Sequence, residues 1–595
     1  MKMAVSLQFT EQQRSLIEAP GSVYVEACPG AGKTQAIVQR FVDRPSVMDS
    51  RRGLALLSFT NAAVDEARYR CASAPHLLQV PNFVGTIDAF INRFIVSPVY
   101  STRAGRAPSF RDTWSSVPAA RVSVSGTPGI FPLSWFDITL DGVASLVLQR
   151  VPADRRSSVK SLRADQSKRV IEAAGSRWRV MFDRGVLDAA TSRKLMTEYL
   201  KDEGTRRQLV RLVGARFSQV IVDEVQDCTA DDICLLELIE EAGVSLVCVG
   251  DPDQAIYGFR GAESLMPGGL LSRLPAGDRL DGNFRSAPAI CSAVGSLRQG
   301  SEVDVAMGDV STVSMPVTVV AYRRPADVKA IVGTVLRDRG IPESDIIVLA
   351  HAAATSRSCA GGKGSTRTTD SRLVNFALAV HRFQSPSSTS SARREALRKV
   401  QSLICELGGD EESEAEFIES RGLTERMFAE RCLRIVTALT GPFEADPSAF
   451  KEELCALLRS HEVLRSKLSL LRTPNGDKWP FILGQDATSL RHSTIHGFKG
   501  LQHRAVALIL PSAAQGALDD DGINQWISGV PGESRRVLYV GASRAQELLI
   551  LATHESRLDE VVDRMSADAV PFVVWEGPEE PVAQHQPMPA EGLMP

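Results

Sequence analysis

Residues 23–34 read VYVEACPGAGKT: a short apolar run of strand type, a loop with two glycines, then a lysine and a threonine that open the helical pattern TQAIVQRFVDR. A strand that feeds a glycine-rich loop at a helix start gathers backbone N–H groups around phosphates. In such a loop Gly30 and Gly32 let the backbone come close to the ligand. Lys33 brings an ammonium to the outer phosphates, and the Thr34 hydroxyl is suited to holding Mg2+. The strict pattern has glycine where this chain has Ala27, so the loop taken alone is also compatible with a structural glycine turn.

Further along, IVDEVQD (221–227) ends another apolar run. Asp223 at a strand tip can coordinate the magnesium held by Thr34, and Glu224 beside it can orient and deprotonate an attacking water. Two acids at a strand-to-loop junction is the plainer reading, and the loop at Ala27–Thr34 is what argues against it. Around both motifs, strand-like runs (SVYVEA, GLALLSF, QVIVDE, SLVCVGD) alternate with helical patterns, the sign of parallel β-α units. A second such series runs through PVTVVAYR, DIIVLAH and RAVALILP. The expected fold is α/β, with two parallel-sheet domains, each interrupted by a mainly helical insertion. The first domain is expected over 1–100 and 201–285 around an insertion at 101–200. The second is expected over 286–360 and 486–570 around an insertion at 361–485. The proline- and acid-rich 571–595 is expected to be a disordered tail.

A chain of 595 residues has room for several cores, and its formal charge of −3 is no advertisement for nucleic acid. A protein that must release DNA repeatedly can keep its cations local, in clefts. Ten cysteines without a C-x-x-C pair suit reduced, buried thiols and give no zinc or iron–sulfur pattern. The N-terminus MKMAVSLQFTEQQR lacks a signal-peptide core, and no run of about 18 apolar residues occurs, so no membrane association and a cytoplasmic location are expected.

Seven further blocks join the two already described, in order: FTEQQR (9–14), SFTNAAVDEAR (58–68), GTIDAF (85–90), VGDPDQAIYGFRGA (249–262), GNFRS (282–286), TIHGFKGLQ (494–502) and RRVLYVGASRA (535–545). With these nine blocks the sequence resembles the UvrD/Rep family of superfamily 1A DNA helicases. The resemblance implies two RecA-like domains, 1A and 2A, carrying insertions 1B and a reduced 2B, with ATP and Mg2+ in the cleft between them and single-stranded DNA across their tops. It implies nucleotide contacts along Ala27, Cys28, Pro29, Gly30, Ala31, Gly32, Lys33, Thr34 and Gln35. Gln13 is expected to read adenine, Phe284 to stack on it, and Gln502 to meet the ribose. Gln254 is expected to sense the γ-phosphate from 1A, and Arg285 and Arg544 to reach it from 2A. The catalytic set implied is Lys33, Asp223, Glu224, Gln254, Arg285 and Arg544, with Thr34 and Asp223 on the metal. For DNA, Phe59, Tyr257 and Phe259 are expected to stack on bases, while Asn61, Thr86, Arg260, His496 and Lys499 contact DNA or couple it to ATP.

The sequence departs from the family at Ala62 (lysine in the family), Asp88 (histidine) and Gln502 (glutamate). Loss of a lysine removes an attraction for phosphates, and Asp88 near a phosphate track would repel it. Two functions are expected to compete. One is an ATP-dependent 3′-to-5′ translocase that unwinds DNA and acts at junctions. The other is a DNA-activated regulatory NTPase that controls a partner nuclease, as the resemblance of short members to the helicase component of Gabija antiphage systems suggests.

Overall fold

The computed structural model describes residues 8–43, 51–59, 61–71, 74–117, 119–127, 129–151, 153–256, 269–300, 302–362, 371–385, 388, 390–408, 414–441, 446–461, 468, 471–473, 489–511 and 521–577. Five parallel strands form the first sheet: β1 (Val23–Glu26), β2 (Gly53–Ser58), β3 (Phe83–Thr86), β4 (Phe217–Asp223) and β5 (Ser245–Gly250), in the order β1-β5-β4-β2-β3. All six residues of β2 and all seven of β4 are buried, because both faces of a parallel sheet are covered by helices. Alternation then divides each strand between two cores. Leu54, Leu56 and Ile221 pack with Ile37 and Phe41 of the helix Lys33–Asp43, while Ala55, Leu57, Val220 and Val222 pack on the opposite face with Phe90, Leu235 and Ile239.

The second sheet holds six parallel strands: β6 (Val317–Tyr322), β7 (Ile346–Ala350), β8 (Arg491–Thr494), β9 (His503–Ile509), β10 (Ala545–His554) and β11 (Phe572–Trp575), ordered β8-β7-β9-β10-β6-β11. It too is covered on both faces, with Val319, Leu349 and Leu508 in one core and Val320, Val348 and Ala507 in the other. The fold is α/β with two RecA-like parallel sheets.

Each insertion has its own core. The second is helical, with Phe376, Val400, Phe428, Ile435 and Leu454 buried between the helices Arg372–Gln384, Ser390–Gly408, Glu425–Ala438 and Pro447–Ser460. The first is helical only in its later part. Residues 109–146 instead make short β pairs, such as Phe136–Ile138 against Ala144–Leu146, packed on Trp178 of the helix Ala164–Asp183. The aromatic residues of 109–146, set among proline, serine and glycine, suit short extended pieces better than a helix. The insertions are joined by Arg121 Nη2 to Glu406 Oε1 at 2.9 Å.

The tail expected from residue 571 begins too early. Residues 572–575 form β11, which adds to β6 in parallel, Val317 facing Phe572 and Val320 facing Trp575. The β-branched and aromatic FVVW has strand chemistry that the proline-rich composition after it obscured; residues 578–595 lie outside the described residues.

Candidate nucleotide and nucleic-acid site

The loop after β1 is fixed by main-chain bonds: Ala27 N–H donates to Gly250 O and Cys28 N–H to Leu280 O, each at 2.9 Å. Gly30 and Gly32 have φ of +76° and +69°. A Cβ on Gly30 would lie 2.6 Å from both Arg285 Cβ and Asn283 Oδ1, and one on Gly32 would lie 2.8 Å from Gln13 Nε2. Only glycine fits either place. Ala27, Cys28, Pro29 and Ala31 are buried, whereas Gly32, Thr34 and Gln35 keep partial exposure at the start of the helix Lys33–Asp43.

Lys33 Nζ lies 3.3 Å from Glu224 Oε2, and the Thr34 hydroxyl donates to Asp223 Oδ2 at 3.0 Å. Glu224 has φ +56°, rare for a residue with a side chain, and its Oε2 also accepts from Gln226 Nε2 at 2.6 Å. Burial disfavours the Lys33 ammonium, but Glu224, Asp251 and Asp223 outweigh it and hold its pKa above the ordinary lysine value. Burial and the neighbouring Glu224 push the Asp223 carboxyl up; burial would do the same to Glu224, but Lys33 and Lys499 hold it down. The pair is divided into one strongly ionised carboxylate and one that calls for a further cation. Thr34 and Asp223 are suited to Mg2+ by chemistry, as a hydroxyl and a carboxylate.

From the second sheet's side, Arg544 Nη2 donates to Gln254 Oε1 at 3.0 Å, and Arg285 Nε donates to Gln502 Oε1 at 2.9 Å. Burial pushes both guanidinium pKa values down, and for Arg544 the adjacent Arg285 adds to it. Two cations in one cleft, one of them buried, attract an anion. Phe284 is 40% exposed, and its N–H donates to Gly30 O at 3.0 Å, so the ring is held beside the loop with open surface. Gln13 is 4% exposed; Thr10 and Gln13 form a reciprocal helix cap, and Gln13 Nε2 donates to Ala31 O at 2.9 Å. Gln13 therefore sits against the loop, with part of its amide already used.

The expected DNA residues are more dispersed. Phe59 is half-buried against the core of the first sheet. Thr86 caps the turn 87–90 by accepting from Ala89 N–H at 3.1 Å. Lys499 Nζ contacts both Asp227 oxygens, at 2.7 and 2.8 Å, and donates to Gln254 O at 2.9 Å, so it spans the two sheets. His496 Nε2 lies 3.2 Å from Ile256 O, a second link of the same kind. Asn61 lies in the helix Asn61–Arg70, its side chain outside the described residues, as are Tyr257, Phe259 and Arg260 entirely. Asp88 has a cation partner: Arg193 Nε pairs with it at 2.9 Å, and the same guanidinium is shared with the buried Asp232.

Asp227, Asp251, Gln226 and Tyr539 belong to the site without having been expected from sequence. All four lie inside quoted blocks and nothing in their local spacing sets them apart; Asp227 and Tyr539 meet partners 272 and 288 residues away. Asn283 is a further such residue; its Oδ1 accepts from the Arg285 and Ser286 N–H groups at 2.9 and 3.0 Å and shapes the turn that aims Arg285.

The profile of the UvrD/REP helicase N-terminal domain matches residues 9–117 and 145–266. The chain is similar to DNA helicase II of Escherichia coli strain K12, 24% identical over 299 residues, which is 48% of this chain and 40% of that protein. It is similar to the Gabija protein GajB of Bacillus cereus strain VD045, 22% identical over 280 residues and 46% of each chain. A shorter match, 34% identical over 91 residues, joins 15% of this chain to 8% of RecB, the RecBCD enzyme component of Escherichia coli strain K12. The matched part thus spans less than half the length of each of these relatives. Two parallel sheets face one cleft, and over residues 9–117 and 145–266, which carry the first sheet, the chain is similar to the UvrD/Rep-like superfamily 1A helicases.

Proposed function

We propose that this protein is an ATP-dependent motor on single-stranded DNA that moves 3′ to 5′ and unwinds duplexes. The observation that carries the reading is the division of the cleft. Lys33, Thr34, Asp223 and Glu224 belong to the first sheet, whereas Arg285 and Arg544 are tied to Gln502 and Ser543 beside the second. ATP with Mg2+ supplies a transferable phosphoryl group and its neutralising metal. Gly30 and Gly32 admit its phosphates, Lys33 binds the outer ones, and Thr34 and Asp223 hold the metal. Glu224 orients water and accepts its proton. Arg285 and Arg544 stabilise charge that develops during transfer, worth roughly 10³ to 10⁵ in rate where such arginines have been removed. Hydrolysis then requires the sheets to be together, and product release lets them part. Phe284 and Gln13 take the base and Gln502 the ribose.

The domain division that goes with this reading is 1A over 1–100 and 201–285, 1B over 101–200, 2A over 286–360 and 486 to the end of β11, and a reduced 2B over 361–485. DNA runs over Phe59, Asn61, Thr86, Tyr257, Phe259, Arg260, His496 and Lys499. Arg193 offsets part of the charge of Asp88, since it also pairs with Asp232.

A second reading is favoured by the similarity to the Gabija protein GajB: a DNA-activated NTPase that controls a partner nuclease in antiphage defence. A strand-displacement assay run beside an ATPase assay separates the two. The motor displaces a strand in step with DNA-stimulated hydrolysis; hydrolysis without displacement supports the regulatory NTPase, and no DNA-stimulated hydrolysis rejects both.

A further inference from the structure

Behind the cleft, a series of buried hydrogen bonds crosses from one sheet to the other. Asp304, with a fully enclosed side chain, accepts from Arg298 Nη1 at 2.9 Å and Nη2 at 3.1 Å. Arg298 is 4% exposed, and its Nη2 also donates to the Tyr539 hydroxyl oxygen at 2.7 Å. Tyr539 passes its own proton on, donating to Asp251 Oδ2 at 2.9 Å. The same oxygen accepts from Gln254 Nε2 at 2.8 Å, and Gln254 Oε1 accepts from Arg544. A branch leaves Asp251 through its N–H, which donates to Gln226 Oε1 at 3.0 Å, and Gln226 donates to Glu224.

The polarity of this series is fixed by chemistry. Arginine only donates and an ionised carboxylate only accepts, so the Tyr539 hydroxyl, which does both, joins Arg298 to Asp251. Asp251 comes directly after β5 of the first sheet, whereas Tyr539 lies in the helix Glu533–Ala542, which packs in the core of the second. The hydroxyl is therefore a joint between the sheets. Gln254 is oriented at both ends by it: one amide atom meets the carboxylate that Tyr539 holds, and the other meets Arg544.

We propose that Tyr539, Arg298 and Asp304 are positioning residues for Gln254 and Arg544, and that they make hydrolysis conditional on the two sheets being locked together. None of the three is needed to bind nucleotide. Their effect is on the placement of two groups whose charges matter in the transition state, where small displacements are costly. The inference rests on the reading of the cleft as an ATPase site.

Tyr539→Phe removes one oxygen and keeps the ring that fills the core. The experiment measures ATP turnover with single-stranded DNA, together with amide hydrogen exchange over residues 251–256, for wild type, Tyr539→Phe, Arg298→Lys and the double variant. Tyr539→Phe is expected to lower kcat about tenfold while KM for ATP stays within about twofold. It is also expected to speed exchange over 251–256 without a matching rise in the strands of either sheet. Arg298→Lys is expected to give a comparable kcat loss, and the double variant to be no more than about twofold below the worse single, as for members of one series. Normal kcat and unchanged exchange in Tyr539→Phe, multiplying losses in the double variant, or a rise in KM alone would overturn the inference. Absence of turnover in the wild type would reject the ATPase reading instead, while exchange over 251–256 still judges the Tyr539 joint.

Discussion

At the scale of single residues, the cleft is built from charges that need a ligand to be balanced. Lys33 and Glu224 neutralise each other at 3.3 Å, but the buried Arg544 and the partly buried Arg285 have neutral oxygens as their main partners. Lys33→Ala removes the cation that meets the Glu224 carboxylate from the loop side, and should lower ATP turnover by on the order of 10³ or more, as for lost electrostatic stabilisation of transferring phosphate. Glu224→Gln keeps shape and hydrogen-bonding reach but cannot take a proton. It should bind a fluorescent ATP analogue at near wild-type affinity and lose turnover by on the order of 10² to 10⁴. Normal turnover in this variant would show that another group is the base. Phe284→Ala, at a ring with 40% of its surface open, should raise KM for ATP several-fold with little change in kcat, because base stacking contributes equally to the ground and transition states.

At the scale of elements, the helix that follows Asp223 and Glu224 is tied to the segment proposed to meet DNA. Thr229 and Asp232 form a reciprocal cap at the start of the helix Ala230–Glu241. Arg193 holds that cap, donating to Thr229 Oγ1 at 3.1 Å while pairing with Asp232 and, at 2.9 Å, with Asp88. Arg193→Ala leaves the buried Asp232 carboxylate without its cation and should cost about 3 kcal/mol in a urea-unfolding measurement, the usual result of removing one partner from a buried pair. Asp88→Asn, at a half-exposed carboxylate, should cost less than about 1 kcal/mol. Equal losses would show that Asp88 is the structural partner. In the sequence Asp88 stands out only as a charge in the wrong place, since Arg193 lies 105 residues away and nothing local announces the pair. The elements that carry the phosphate loop were legible for the opposite reason. A strand, its glycines, and the lysine and threonine at a helix start are contiguous, and their chemistry is local. β11 is hidden for the converse reason: FVVW is too short to stand out from the proline-rich residues that follow it, and only its distant pairing with β6 makes it a strand. The β pairs of 109–146 were hidden likewise, each being two or three residues long.

At the scale of the whole molecule, the two sheets are held at the cleft by groups that are themselves part of the site. Lys499 joins Asp227 and Gln254, Arg544 joins Gln254, and Tyr539 joins Asp251. On the proposed reading the contacts that close the cleft are those that place the reacting groups, so that closing and hydrolysis become one event, which is what a motor requires. Lys499→Ala removes a largely buried ion pair and should lower DNA-stimulated turnover about tenfold, more than it alters nucleotide binding, if the pair closes the cleft. An unchanged stimulation by DNA would place Lys499 outside the coupling. The central claim, that arginine from the second sheet completes an ATPase site on the first, is tested most directly by ATP hydrolysis with and without single-stranded DNA in wild type and Arg544→Ala. Hydrolysis that DNA stimulates in the wild type, and that falls by on the order of 10³ in Arg544→Ala while ATP binding persists, is the predicted result. Turnover that ignores DNA, or that survives the loss of Arg544, would contradict the account.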